Sequence, residues 1–398
     1  SRRGLAEILY GDQIHGSVTR LEQFARCPYA HFLIFGLGLR EREQYRVAAF
    51  DYGNVFHGAM EHLSHLLEEE NRSWQELTEE EVCRLAEICI DHAAEEYRGD
   101  MFYQSRRVEF MIRRMKNVMR SAVWGIWRQM REGSFEQTAS EKRFTAGDDL
   151  QSLKIPLEGQ RQMVLGGQID RVDTCWWGDH RLIRIIDYKS GRHDLSLDKV
   201  YYGLQLQLTV YMAAALELEG KKYPGVESIP AAMLYYQMKQ PELAWKPESE
   251  PERRERALRD LRCTGYVNEE PEVLERIDRG LAGGGSVRPG SSSSVVPVDI
   301  TKTKGTFSQY SHVLSTERFR RLMEHTRKKL EEFGNRIYDG EIGAAPYRMG
   351  RECGCDYCGL RGICGVEDKT LASCVRTFPQ MKEEEVWEVL YGQDPVDE

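Results

Sequence analysis

No apolar run among the 398 residues approaches the roughly 18 that a membrane-spanning helix needs. No basic-then-apolar leader opens the chain, so no secretory signal is read and a cytoplasmic location is expected. The phosphate-cradling pattern G-x4-G-K-S/T is missing, and with it any expectation of an ATPase within this chain. Cysteine is sparse: ten in the whole chain are too few for a disulfide-dense scaffold, which leaves reduced thiols or metal ligands. No internal repeat is found. Ser1 stands in the place of an initiator methionine, which reads as a processed chain or a piece of a longer one. Excess positive charge is lacking too: the net charge is −9, which on average disfavours nucleic acid.

What is present qualifies that average. Residues 106–131 carry eight basic side chains and one acidic one, and Arg318 to Lys329 form a second basic run. Both are candidate phosphate contacts, although either could be the solvated face of an ordinary helix. The acids gather elsewhere, at 68–71, 78–82 and in the tail from Lys382. An apolar share of 41% supplies a core, and length alone suggests two to three domains.

The stretch SVTRLEQFARCPYAHFLIFGL starts as a helix, with Thr19 and Glu22 as a candidate capping box and Cys27-Pro28 as its end or kink. Apolar residues recur at helical spacing over 47–70, 79–98 and 105–132. Near residue 140 the period changes to two. EKRFTA, LKIPLEG, MVLGGQIDRVDTC and RLIRIIDYKS read as four strands, the last two joined by a hairpin at WWGDH. VYYGLQLQLTVYMAAALELE reads as one helix and SIPAAMLYYQM as a further strand. Residues 240–305 read as an insertion: a charged helix, then a Gly/Ser linker expected to be mobile at about 280–295. A long helix follows at 315–338, then a cysteine-rich stretch, a short helix and an acidic end. This order predicts an α/β fold with a mixed central sheet flanked by helices.

The strand RLIRIIDYKS ends on an acid and a lysine. Side chains two apart share a face of a strand, so Asp187 and Lys189 point together. Asp170, in GGQIDRVD on the hairpin partner, comes close to Asp187 if the turn lies near Gly178. Two converging carboxylates repel, and a divalent cation such as Mg2+ or Mn2+ resolves the repulsion. With a lysine beside them they suit phosphodiester hydrolysis, in which a cation activates water and the lysine stabilises charge at the phosphate. Alone, DYK is most often a surface ion pair at a strand end; Asp170 and His57 lift it above that. His57, in GNVFHGAMEHL, is a candidate third ligand, with Gly53 and Gly58 for close packing; His62 and His65 share its helix. Gln207 and Tyr211 share a helical face and could hold a phosphate or support the lysine, while Gln205 points elsewhere. An ordinary amphipathic helix is the plainer reading there. Glu141 is a weaker candidate for a supporting carboxylate.

Cys355, Cys358 and Cys364 give C-x2-C-x5-C, a spacing that binds a soft metal. A fourth ligand is either Cys353 nearby or Cys27, far away in sequence. Zinc and an iron–sulfur cluster both stay open; the absence of a second C-x2-C knuckle favours iron–sulfur.

In this order, SVTRLEQFARCPYAHF, GNVFHGAMEHL, GGQIDRVD, IIDYKSG and QLQLTVY resemble the RecB-type nucleases of the PD-(D/E)XK superfamily. The early CPY paired with the late CDYCGLRGIC resembles the iron–sulfur branch, and length and insertion look most like the nuclease domain of AddB-type subunits. The resemblance spans roughly residues 17–370. It implies a restriction-endonuclease-like fold and a metal-dependent DNA exonuclease acting on single-stranded ends. It implies His57, Asp170, Asp187 and the Tyr188 backbone carbonyl as metal ligands, Lys189 as the catalytic lysine, and Gln207 and Tyr211 as the Q-x3-Y motif. Cys27, Cys355, Cys358 and Cys364 would hold a 4Fe–4S cluster of structural role, with Cys353 left out. Gly-Gln-Ile stands before Asp170, where the superfamily's name has a proline. One nuclease domain over 1–398 is then expected, its cysteine segment 353–364 closing onto Cys27. An AddA-like helicase–nuclease partner and a role in double-strand break repair follow, with this chain cutting the 5′-ended strand. Other readings stay open: a free-standing CRISPR-associated exonuclease, for which the chain is long; a DNA-binding module without activity; a zinc-held interaction domain.

Overall fold

The two periodicities are realised as an eight-stranded mixed sheet with helices on both faces. The computed structural model describes residues 2–40, 49–98, 106–144, 150–366 and 373–392. The first half runs α1 (Arg2–Tyr10), β1 (Gln13–Ser17), α2 (Val18–Arg26), α3 (Pro28–His31), α4 (Ala49–Glu69), α5 (Glu79–Arg98), α6 (Arg106–Glu132), β2 (Glu136–Phe144), β3 (Lys154–Pro156), β4 (Gln162–Trp177) and β5 (His180–Lys189). There follow α7 (Leu197–Tyr201), α8 (Gln207–Lys222), β6 (Glu227–Gln237), α9 (Glu250–Asp260), β7 (Thr264–Asn268), α10 (Pro271–Ile277), β8 (Ala282–Gly283), β9 (Ser286–Val287), β10 (Val313–Leu314) and α11 (Thr316–Tyr338). The chain then passes through β11 (Tyr347–Met349), β12 (Glu352–Cys353), α12 (Arg361–Cys364) and β13 (Arg376–Thr377) to α13 (Glu383–Tyr391). No described helix is long and apolar enough to cross a membrane.

The strand order is β1-β4-β5-β6-β7-β10, with β2 and β3 also paired to the long β4. β4 and β5 form the expected antiparallel hairpin, turning at Gly178 with φ 54°, and β5 runs parallel to β6. Alternation divides the core: Leu182, Ile186 and Tyr188 pack toward α4, α5 and α6, while Ile183 and Ile185 pack toward α2, α8 and α11.

A buried charge cluster pins the hairpin register. Asp173 faces Arg184 across the ladder. Its carboxylate accepts from Arg171 Nε at 2.7 Å and from Arg184 Nε at 3.0 Å, and all three side chains are buried. Burial alone would raise the Asp173 pKa; the two guanidiniums outweigh it and hold it below the usual carboxylate range. A slip of one residue would send these charges to the opposite face and break the pairing.

Three elements differ from the sequence pattern. Ser17, not Thr19, caps α2 by accepting from Arg20 N–H, and Glu22 is turned elsewhere. The helix read from Val200 onward is interrupted: Gly203 turns the chain at φ 79° between α7 and α8, where a Cβ would stand 2.4 Å from the Phe333 ring. The turn residues Leu204 and Leu206 are buried, so the apolar spacing hides the break. The Gly/Ser stretch at 280–295 is anchored at both ends, while 284–286 and 288–290 between them are exposed. Leu281, Ala282, Ser293 and Val295 are buried, and Ser293 Oγ donates to Asp278 Oδ2 at 2.6 Å while accepting from Val295 N–H at 3.0 Å. Serine hydroxyls close tight turns here, a use that composition cannot separate from solvation.

Candidate active site

β4 and β5 continue one step past the Arg171–Ile186 pair, which places Asp170 and Asp187 side by side. β2 adds a third carboxylate. Ser140 faces Arg171 and Lys142 faces Ile169, so Glu141 is set against Asp170. Glu141 holds a left-handed φ of 46°, a conformation that costs a non-glycine residue about 1–3 kcal/mol. From one face of the sheet α4 delivers His57, whose Nδ1 stands 3.4 Å from Asp170 Oδ1 and 3.6 Å from Glu141 Oε1. His57, Glu141 and Asp170 each place a ligand atom within 4.8 Å of the others. Asp170 Oδ2 is fixed by the Tyr188 N–H at 2.7 Å.

The electrostatics are those of crowded acids. Burial, then the charge of Asp170, pushes the Asp187 carboxyl well up, and Lys189 opposes the rise. Burial also raises Glu141. Burial would lower His57, but the adjacent Asp170 and Glu141 carboxylates outweigh that and lift the imidazole to about 10. Glu141 Oε1 and Asp187 Oδ2 are buried with no hydrogen-bond donor among the described residues. Buried carboxylate oxygens gathered beside an imidazole are of the donor type that hard cations take.

From the other face of the sheet α8 fixes the lysine. Lys189 Nζ forms an ion pair with Asp187 Oδ2 at 2.5 Å and donates to Gln207 Oε1 at 3.1 Å. Gln207 Nε2 donates to Asp187 Oδ1 at 2.8 Å and lies 3.3 Å from Tyr211 Oη. One glutamine thus sets acid and lysine relative to each other, and buried Tyr211 steadies the glutamine. Tyr211 comes this close because residue 167 is glycine: a Cβ there would stand 2.9 Å from the Phe144 ring and 3.2 Å from Tyr211. Gly53 and Gly58 are not demanded in this way, since an added Cβ would make only ordinary contacts at 3.7 Å and 3.5 Å. His62 stacks on His92 of α5, which leaves His57 as the histidine of α4 at the carboxylates. Gln205 does point elsewhere, its amide bonded to Ser196 N and Asp194 O.

Two residues at the site escaped sequence reasoning. Glu22 Oε1 accepts from Leu206 N–H at 2.7 Å and Gln207 N–H at 3.1 Å, so α2 caps α8 across 184 residues of chain. Burial pushes the Glu22 carboxyl up, opposed by those two bonds. No local pattern marks such a contact. Gln168, which donates to Glu141 Oε2, was readable: two residues before Asp170 in a strand, it shares that face.

The structure also brings together the early and late cysteines. Cys27, Cys355, Cys358 and Cys364 line one small cavity with Leu33, Pro346 and Leu360. Burial raises the Cys27 thiol, and nearby Cys364 adds to the rise. Burial, then the thiols of Cys353, Cys27 and Cys358, raises Cys355. Cys353 lies beside Cys355 but off the cavity wall.

The basic runs are drawn into ion pairs. On α6, Lys116 meets Asp91 at 2.6 Å and Arg120 meets Glu87 at 3.3 Å; the side chains of Arg106 and Arg107 lie outside the described residues. On α11, Arg320 meets Glu227 at 2.6 Å and Lys328 meets Glu324 at 2.9 Å. Exposed pairs of this kind are weak, so they leave both faces able to meet other partners.

Comparison with known proteins agrees with this geometry. Residues 15–365 match the PD-(D/E)XK nuclease superfamily. The chain is 34% identical over 391 residues to the B-type subunit of the ATP-dependent helicase/deoxyribonuclease of Lachnoclostridium phytofermentans, a match covering 98% of this chain and 33% of that one. The protein of the same name from Listeria innocua is 34% identical over 369 residues, 92% of this chain and 31% of that one. That of Alkaliphilus oremlandii is 32% identical over 383 residues, 96% and 33% respectively. The chain spans about a third of the length of these relatives. The superfamily match runs from within β1 through every strand of the carboxylate site to the last cavity cysteine, and over that span the chain belongs to the PD-(D/E)XK nuclease superfamily.

Proposed function

We propose that this chain is a divalent-metal-dependent deoxyribonuclease unit that works as an exonuclease on single-stranded DNA ends. It would act within a longer AddB-type helicase–nuclease chain, alongside an AddA-like partner, in double-strand break repair in the cytoplasm. The observation that carries the reading is the meeting of His57, Glu141 and Asp170, with Asp187 beside Asp170, next to a lysine held by Gln207. His57, Asp170 and Asp187 would hold Mg2+ or Mn2+, with Glu141 and the Tyr188 carbonyl as further donors. Such a cation, when bound, neutralises phosphate charge and activates water. Lys189 presents its ammonium to the phosphate and offsets the charge that builds on it. Gln207 keeps that ammonium aligned with Asp187, and Tyr188 N–H keeps Asp170 turned toward His57.

Cys27, Cys355, Cys358 and Cys364 would hold a structural 4Fe–4S cluster that closes one nuclease domain end to end. Their shared cavity supports this. A free-standing exonuclease is not favoured, because the relatives are about three times as long. An inert module is not favoured, because the acid and lysine set is complete.

The test is cleavage of labelled single-stranded DNA with Mg2+ or Mn2+, comparing the native protein, Asp187→Ala and an EDTA control. Cleavage lost in both controls is expected; cleavage that survives either would overturn the assignment.

A further inference from the structure

The polar face of α2 looks into a cleft instead of bulk solvent. Thr19, Glu22, Gln23 and Arg26 recur at helical spacing opposite the buried face of that helix, and they wall a cleft of about 380 Å³ that opens beside Lys189. The facing wall is the loop after β5, and that loop is fixed. Gln205 accepts from Ser196 N–H at 2.9 Å and donates to Asp194 O at 3.1 Å, and Thr264 Oγ1 donates to the His193 carbonyl at 2.8 Å. Lys189 and Gln207 also line the cleft, which makes it continuous with the carboxylate site. Glu22 is taken up in capping α8, so the exposed charge offered here is that of Arg26, with exposed His193 on the other wall.

We propose that this cleft seats the nucleotide next to the scissile phosphodiester, with Arg26 binding its phosphate and Gln23 and His193 its polar edges. The volume suits a ligand of nucleotide size. The prefixed loop wall spares the cost of ordering it on binding. The assignment rests on the nuclease reading above.

The experiment uses a labelled single-stranded oligonucleotide, measuring Kd in EDTA across a salt series and steady-state cleavage with Mn2+. Arg26→Glu is expected to raise Kd and KM at least tenfold. Arg26→Gln should make the log–log salt dependence shallower by about 0.7, the share of one phosphate contact to a single strand. The loss falls on KM rather than kcat. Arg26 adjoins Cys27, so Gln23→Glu serves as the second variant, placing an anion in the same cleft without touching the cysteine segment. Wild-type KM and salt slope in Gln23→Glu and Arg26→Glu would overturn the proposal. If Asp187→Ala and EDTA abolish cleavage while these variants behave as wild type, the cleft assignment alone fails. If cleavage survives Asp187→Ala, the nuclease reading itself fails.

Discussion

The carboxylate site and the cysteine cavity both gather side chains of the kinds that ligate metals, and they are assembled in opposite ways. At the carboxylates, each ligand stands on a sheet strand or a six-turn helix, and its neighbours already hold it: Tyr188 N–H on Asp170, Gln207 on Asp187, Gln168 on Glu141. At the cysteines, the ligands stand on a helix cap, a tight turn and the four-residue α12, with Tyr357 in that turn at φ 57°. Few apolar side chains support them: Ala30, Leu33 and Leu360 form the buried remainder of that cluster. The first region is organised before it binds anything. The second has fewer such holds of its own and, if it binds the proposed cluster, is expected to depend on it for order. Fold stability and catalytic competence are therefore expected to answer to different metals.

The comparison can be broken from beneath. Asp173→Ala would strand Arg171 and Arg184 in the core and is expected to cost about 3–5 kcal/mol, read by denaturant unfolding. If stability barely changes, the hairpin that carries Asp170 and Asp187 is held by something other than this cluster. Next in size, Lys189→Ala should lower kcat on single-stranded DNA by about 10²–10³-fold. Its melting temperature should stay close to that of the native protein, since the preorganised region does not need the ammonium to fold. Cys364→Ala should show the converse. By analogy with a long-loop cross-link, about 2–4 kcal/mol of stability is lost together with the brown colour of anaerobically prepared protein. A colourless, zinc-loaded and equally stable protein would sink the cluster. Limited proteolysis would then cut first near residues 353–364, whereas EDTA removal of the divalent cation should leave the digestion pattern unchanged. The smallest effect sharpens the comparison most. Glu22→Ala should reduce kcat about tenfold by loosening the first turn of α8, while Glu22→Gln, which keeps the acceptor oxygen, should restore most of it. Equal loss in both variants would show that charge, not hydrogen bonding, is what Glu22 supplies.

Much of the first region was legible, because its logic is periodic. A period of two aligned Asp187 with Lys189 and placed Asp170 on the hairpin partner, and a period of 3.6 aligned Gln207 with Tyr211. The structure brings these together with His57, and it moves Glu141 from a supporting place to the ligand group. Periodicity failed where tertiary contacts decide. The cap that Glu22 provides joins residues far apart in sequence. The break at Gly203 is forced by Phe333, and the β7–α10 segment of the insertion has too short a pattern to announce itself. Charge counting along the sequence also missed the ion pairs of α6 and α11, since some of the acids sit on other elements.

The union of Cys27 with the 355–364 segment also sets a clock on biosynthesis. Cys27 leaves the ribosome 337 residues ahead of Cys364. At about 5–20 residues per second, the first thiol waits roughly 20–70 s before its companions exist. During that interval it is neither buried nor shared, and oxidation to a sulfenic or higher acid would remove a ligand before the cavity could close. If these thiols hold the proposed cluster, oxygen tension while the chain is being made is expected to affect the yield of cluster-bearing protein.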